Sequence, residues 1–173
     1  MTFSLRVSTI AMSAAIALLV LLSGTLGVLL WQARDDIAGR DAAAADRARA
    51  EQVATDYAVG AATVNYQDFP GWVAKLKTNT SAPLAAQFDS TAPKLEQVLV
   101  PLRWTSTATP VAATVEQADN GVYKVDVFVS VTSTSAQSPD GAQTTVTYNV
   151  TLDRNADWKV TDVGGTNAAL PMK

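Results

Sequence analysis

The sequence predicts an α+β protein, with a single N-terminal transmembrane helix running into a long helix. Short helices then pack on a curved antiparallel four-stranded sheet. Three observations predict this class. A 25-residue run without charge lies near the N-terminus, and apolar residues recur at helical spacing as far as Pro101. After Pro101 the apolar residues alternate with polar ones, which is the period of a half-buried strand. A block of helices followed by hairpin-linked strands is typical of α+β proteins.

The composition excludes several classes of chemistry. The 173 residues include no Cys and no His and carry a net charge of −3. Disulfides, thiol nucleophiles, zinc ribbons and Ser-His-Asp triads are therefore excluded. The sequence contains no phosphate-binding glycine loop and no basic stripe of the kind that nucleic acids require. We expect no enzymatic activity, no catalytic residue, no cofactor, no metal site and no nucleic-acid partner.

The uncharged run covers residues 7–31 and is the predicted transmembrane helix. As a helix it is about 37 Å long, enough to cross a bilayer core of roughly 30 Å with some tilt. The alternative is a cleaved signal peptide, whose apolar core is normally about 7–15 residues and ends in small residues. Here the core is longer, and it ends at the bulky Trp31. We expect an uncleaved anchor between a cytoplasmic tail (1–6), a helical stalk (32–50) and an outer domain (51–173).

One face of the predicted anchor carries mostly small side chains, which allow another helix to approach closely. The alternative is that Gly and Ala are simply common in membrane helices. The residues that fall on this face, the predicted membrane-partner face, are Ser13, Ala17, Val20, Gly24, Gly27 and Trp31.

Helical spacing continues after the anchor to about Asn65. It places Val53, Tyr57, Ala61 and Val64 on one apolar stripe, which we expect to bury against the sheet. Shorter helices are predicted over 72–76, from Ser81-Ala82-Pro83 onwards, and over 93–100. The last of these ends at Pro101, and its inward-facing residues are predicted to be Leu95, Val98 and Leu99.

Four strands are predicted after Pro101. The first covers 111–116 and leads into Asn120-Gly121, a strong hairpin signal. The second places five residues from Tyr123 to Val131 on one apolar face. The third alternates over 145–152, and a short last strand opens at Trp158.

Two sets of side chains are candidates for chemistry or binding. The first set consists of carboxylates. Asp126, in mid-strand, is either a general base in a pocket or a solvated residue of the outer sheet face. Asp35 and Asp36, which are neighbours in the sequence, are either a metal-binding pair or solvated residues of a helix end. The second set either lines an apolar hollow that takes a ligand or belongs to the core, and its members are Tyr57, Trp72, Trp104 and Trp158.

The order of these elements resembles the actinobacterial Mce-associated membrane proteins, whose outer domains are similar to the VirB8/NTF2 family. The resemblance covers nearly the whole chain. It rests on the anchor, on an alanine-rich helix with Tyr57 and Tyr66 near its end, and on the Asp157-Trp158-Lys159-Val160 ending. It implies an NTF2/cystatin-like outer domain and an accessory subunit, close to the LucB-type single-pass subunits, of Mce complexes that import lipids or fatty acids.

The implied partners are the integral membrane permease and the Mce subunits of a lipid transporter, together with membrane lipid. The implied location is the inner (plasma) membrane, with the N-terminus in the cytoplasm and the domain in the periplasm. Counting Lys and Arg alone gives the opposite orientation, although long domains translocate largely regardless of charge. Two other functions stay open: a periplasmic module that keeps a lipid between helix and sheet, and a VirB8-like scaffold of a secretion system.

Overall fold

The computed structural model describes Arg34 and residues 37–164. The chain divides into two compact units, Met1–Ala45 and Asp46–Lys173. In the first unit the described residues are helical. The predicted transmembrane helix and its membrane-partner face lie outside the described residues. Within the part of the chain that is described, no helix combines the length and the apolar character that crossing a bilayer requires.

The second unit contains three α-helices and four β-strands. Helix α1 covers residues 46–62, and it is followed by a short 3-10 turn at Tyr66–Asp68. The remaining elements are α2 (Phe69–Lys77), α3 (Ala82–Leu99), β1 (Thr105–Asp119), β2 (Val122–Thr134), β3 (Ala142–Asp153) and β4 (Lys159–Gly164).

The strands form one antiparallel sheet in the order β1-β2-β3-β4, so each strand pairs with its neighbour in sequence. The two-residue turn between β1 and β2 is Asn120-Gly121, and both residues have positive φ, at 49° and 84°. Positive φ at both central positions is what a type I′ hairpin turn requires. The predicted α+β class, with helices on a four-stranded antiparallel sheet, is confirmed.

Small side chains on α1 cover the inner face of the sheet. The buried alanines recur at every fourth position of α1, from Ala50 to Ala62, and are at most 6% exposed. Together with the inward-facing valines of β2 they form one hydrophobic cluster, called the sheet cluster below. Residues of the predicted stripe, such as Val53 and Tyr57, are partly buried and pack against this cluster. The centre of the interface therefore lies one position away from the predicted stripe, because alanine lets the helix approach the sheet more closely than larger side chains would.

Helix α3 corrects the prediction of two separate short helices. It is one helix of 18 residues with Pro93 inside it. A proline costs about 3 kcal/mol in a helix interior. Buried residues anchor both halves of this helix, Leu84 in the sheet cluster and Leu99 in a second cluster. The prediction that Val98 faces inward is wrong: it is 50% exposed, because the inward-facing positions at this end of the continuous helix are the partly buried Leu95 and the buried Leu99.

Strand β1 begins six residues before its predicted start. Its first part has small buried residues, Ser106 and Ala108, in place of the large apolar residues that mark a strand in a sequence. Two irregularities in its register flank Val111 and Glu116. Bulges and prolines are common on sheet edges, where they hinder pairing with another chain.

Candidate functional site

A groove of about 360 Å³ lies beside α1. Its lining comes from one face of α1, from the last turn of α2 and from the residues that follow α2; no strand residue contributes. The lining residues are Arg49, Gln52, Val53, Asp56, Tyr57, Lys75, Thr78 and Asn79. The α1 residues follow the i, i+3, i+4, i+7, i+8 spacing of a single helix face.

The α2 side of the groove is fixed by hydrogen bonds to the sheet edge. The backbone N–H of Val160 donates to the carbonyl of Asn79 at 2.9 Å, and Ser81 N–H donates to the carbonyl of Val160 at 2.8 Å. The Asn79 side chain also donates to the carbonyl of Trp158 at 3.4 Å. The predicted last strand therefore positions this side of the groove.

Two cations and one carboxylate lie in the groove. Asp56 accepts a hydrogen bond of 3.0 Å from the Gln52 side chain, one helical turn away. Among the described residues, neither Arg49 nor Lys75 forms a salt bridge, whereas Lys77 and Arg154 each pair with an aspartate. The groove therefore combines two cations that have no ion pair in this part of the chain with an acid that already has a hydrogen bond.

Tyr57 supplies the aromatic part of the lining. The residue is partly buried and packs against the sheet cluster. Burial raises the pKa of its phenol above the ordinary value of 10.0, and the nearby Tyr148 raises this pKa further. Tyr57 is therefore a neutral hydrogen-bond donor at physiological pH and is unsuited to act as a base.

The structure divides the four aromatic residues of the predicted apolar hollow between two places. Tyr57 and Trp158 pack against the sheet cluster, whereas Trp72 and Trp104 pack against the second cluster, around Phe69. The indole N–H of Trp72 donates to the carbonyl of Ala61 at 3.3 Å, so it satisfies a backbone group at the end of α1. That these four residues line an apolar hollow stays a prediction.

Trp158 occupies a strained turn. Both Asp157 and Trp158 have positive φ, at 55° and 58°, which is uncommon for residues other than glycine. The Trp158 ring lies 5.2 Å from the ring of Tyr123, measured between centroids, at an interplanar angle of 40°. This aromatic contact stabilises the turn that leads into β4.

A charged cluster lies where α1, β2 and the turn before β4 meet. The Arg154 guanidinium pairs with the Asp46 carboxylate, which also accepts a hydrogen bond of 3.4 Å from the Tyr123 hydroxyl. The hydrogen bond that Arg154 donates to the Asp46 carboxylate, together with the negative charge of that carboxylate, raises the pKa of Arg154. These contacts connect the first turn of α1 in this unit to the sheet.

Asp126 is the candidate carboxylate that lies within the described residues. Asp126 accepts a hydrogen bond of 2.5 Å from the Asn149 side chain across the β2–β3 pair, on the face opposite the buried valines. Asp35 and Asp36 lie outside the described residues. Among the residues that the structure describes, no group of three acidic side chains is arranged to hold a metal ion.

Of the groove residues, Tyr57 alone was among the binding candidates that the sequence indicated. The spacing of Arg49, Val53 and Tyr57 on one helix face could have been read from the sequence. That Lys75 and Asn79 lie across from them depends on the packing of α2 beside α1 and on pairing with Val160. No local pattern in the sequence carries that information.

Comparison with known proteins identifies the fold. No family model matches the chain, and no curated protein matches it. Among solved structures, the periplasmic domain of DotI is 18% identical, with a TM-score of 0.53 over 66% of this chain and 91% of that one. The fold is that of VirB8-type periplasmic domains.

Two further solved structures have the same fold. An IcmL-like type IV secretion system protein from Legionella pneumophila is 15% identical, with a TM-score of 0.52 over 68% of this chain and 90% of that one. CagV, a VirB8 homologue from Helicobacter pylori, is 11% identical, with a TM-score of 0.50 over 66% of this chain and 93% of that one. At these identities the likeness concerns the fold alone, and it supports the predicted VirB8/NTF2-like fold.

Proposed function

We propose that the chain is a non-enzymatic, single-pass accessory subunit that binds and stabilises an Mce-type lipid or fatty-acid import complex. Its membrane helix packs on the integral permease, and its outer domain contacts the Mce subunits in the periplasm. The protein is anchored in the plasma membrane with its N-terminus in the cytoplasm. The resemblance to Mce-associated membrane proteins supports this choice of complex.

One observation carries the proposal: a VirB8-type domain occurs in a chain that also contains a 25-residue uncharged apolar run. The similar solved structures are described as a periplasmic domain and as type IV secretion system proteins. A small domain attached to an anchor is suited to holding larger partners together. The absence of His and Cys from the sequence favours such a role over catalysis.

A VirB8-like scaffold of a secretion system is the second candidate, and the likeness in fold to secretion-system proteins is compatible with it. Both candidates predict an anchored protein that takes part in a complex, so the identity of the partners separates them. An Mce assembly would supply a permease and Mce subunits, whereas a secretion system would supply components of its own apparatus.

The test is a pull-down of the tagged full chain in mild detergent, comparing the wild type with Gly24→Leu. Gly24 lies on the predicted membrane-partner face, where a leucine blocks close helix approach. Thr25→Leu is the matched control, because the neighbouring position faces about 100° away on a helix.

We expect the wild type and Thr25→Leu to retain the permease and Mce subunits, and Gly24→Leu to release them. Equal retention by all three proteins would contradict packing through this face. Recovery of secretion-system components in place of Mce subunits would establish the second candidate instead.

A further inference from the structure

We propose that the groove between α1 and α2 binds an anionic amphiphile. Its phosphate or carboxylate group lies between Arg49 and Lys75, and its first apolar carbons lie against Val53 and Tyr57. The biological setting of this site rests on the proposed function in lipid import, whereas the binding itself is a property of the groove.

The two cations identify the charge of the ligand. Arg49 comes from α1 and Lys75 from the last turn of α2, so a bound anion would contact both walls of the groove. Neither cation forms a salt bridge with a described residue, so each can contact an anion directly. A guanidinium presents two parallel N–H donors that match a phosphate or a carboxylate.

Val53 and Tyr57 give one part of the groove an apolar surface, which indicates that the anion carries a hydrocarbon part. Val53 and Tyr57 are one helical turn apart, partly buried, and continuous with the sheet cluster. The hydroxyl of a neutral Tyr57 is able to donate to an oxygen of the head group. The groove volume of about 360 Å³ lies at the lower end of the roughly 300–1,000 Å³ typical of ligand sites. It therefore suits a head group and a short stretch of chain.

The negative charge of Asp56 repels a bound anion, so removing this charge should strengthen anion binding. Its carboxylate lies in the same lining, where Gln52 donates to it. Removing this negative charge leaves both cations in place and reduces repulsion. Asp56→Asn is therefore expected to bind the anion more tightly than the wild type does.

Isothermal titration of the full chain in a nonionic detergent tests the site, with detergent blanks subtracted. The probes are hexyl phosphate and hexanoate, which represent a lipid phosphate and a fatty-acid carboxylate, together with inorganic phosphate and hexanol. The variants are Arg49→Gln/Lys75→Gln and Asp56→Asn. The control is Arg47→Gln/Lys94→Gln, which removes the same charge from exposed positions outside the groove.

We expect at least one anionic amphiphile to bind saturably, and the stronger of the two indicates which head group the site prefers. The groove double variant should weaken binding at least about tenfold, since two charge-assisted contacts are lost. Asp56→Asn should strengthen it about threefold, and the control should change it less than about twofold.

Three results would overturn the proposal: no saturable binding, equal losses in the groove and control variants, or hexanol binding as well as the anions. Inorganic phosphate binding as tightly as hexyl phosphate would overturn the amphiphile assignment. The pull-down tests the proposed function independently of the groove. Gly24→Leu is expected to lose its protein partners in the pull-down and still bind the anionic probe in the titration.

Discussion

Replacing Ala58 with leucine tests the close packing of α1 on the sheet. Ala58 is 0% exposed and lies in one cluster with Val125, Val127 and Val129, which are also 0% exposed. Leucine adds three carbons, which would contribute about 2.4 kcal/mol if space were available, at roughly 0.8 kcal/mol per buried CH₂. Forcing extra carbons into a filled core instead costs about 1–3 kcal/mol. We expect Ala58→Leu to lower the free energy of unfolding by about 1–3 kcal/mol.

The matched control is Ala48→Leu, which makes the same change on the exposed side of the same helix. Surface changes of this kind usually stay within about ±0.5 kcal/mol. The assay is guanidinium denaturation of the full chain in mild detergent, followed by tryptophan fluorescence. If Ala58→Leu were as stable as Ala48→Leu, the interface would have room for leucine. The reasoning on close packing would then be refuted, and a ligand held between helix and sheet would gain support.

Two further predictions concern Tyr57 and the edge of β1. The pKa of Tyr57 is raised by burial, so the folded state keeps a proton that the unfolded chain releases above its pKa of 10.0. Its stabilising contribution is therefore complete below about pH 10 and declines above it, by at most about 1.4 kcal/mol per pH unit. Denaturation near pH 9 and pH 11 should show this decline, with a smaller decline in Tyr57→Phe; equal declines would contradict it. At the sheet edge, the N–H of Val115 donates to the Glu51 carboxylate at 3.2 Å. Glu51→Ala should speed amide exchange at Val115 about tenfold by nuclear magnetic resonance, whereas Glu51→Gln, which keeps an acceptor, should change it less; unchanged exchange in both variants would exclude a protective role.

The strands could be predicted where their residues differ clearly between the two faces. From Tyr123 to Val131, large apolar residues alternate with mostly polar ones, and the structure buries that apolar face. The first half of β1 lacks such contrast, because its buried residues are Ser106 and Ala108. Ser106 holds its place through hydrogen bonds: its hydroxyl donates to the Ala62 carbonyl at 2.8 Å and accepts from Val64 N–H at 3.2 Å. Hydrogen bonds between residues so far apart in the chain produce no hydrophobic periodicity in the sequence.

The helices show the same limitation for a different reason. The large apolar side chains of Val53 and Tyr57 indicated the buried face of α1 in the sequence, but alanines occupy the centre of the interface with the sheet. Hydrophobic periodicity indicates which side of a helix is buried, but the distance between helix and sheet decides which residue size fits. The groove was missed because its second wall, near Lys75, is positioned by tertiary contacts.

Extraction of the native protein from membranes tests the central claim that the domain is permanently tethered to the lipid bilayer. Membranes are washed with high salt and with alkaline carbonate, and the intact mass of the mature chain is then determined. We expect the protein to stay in the membrane pellet and its mass to include residues 7–31. A mature chain that begins after Trp31 and is released into the wash would contradict the account.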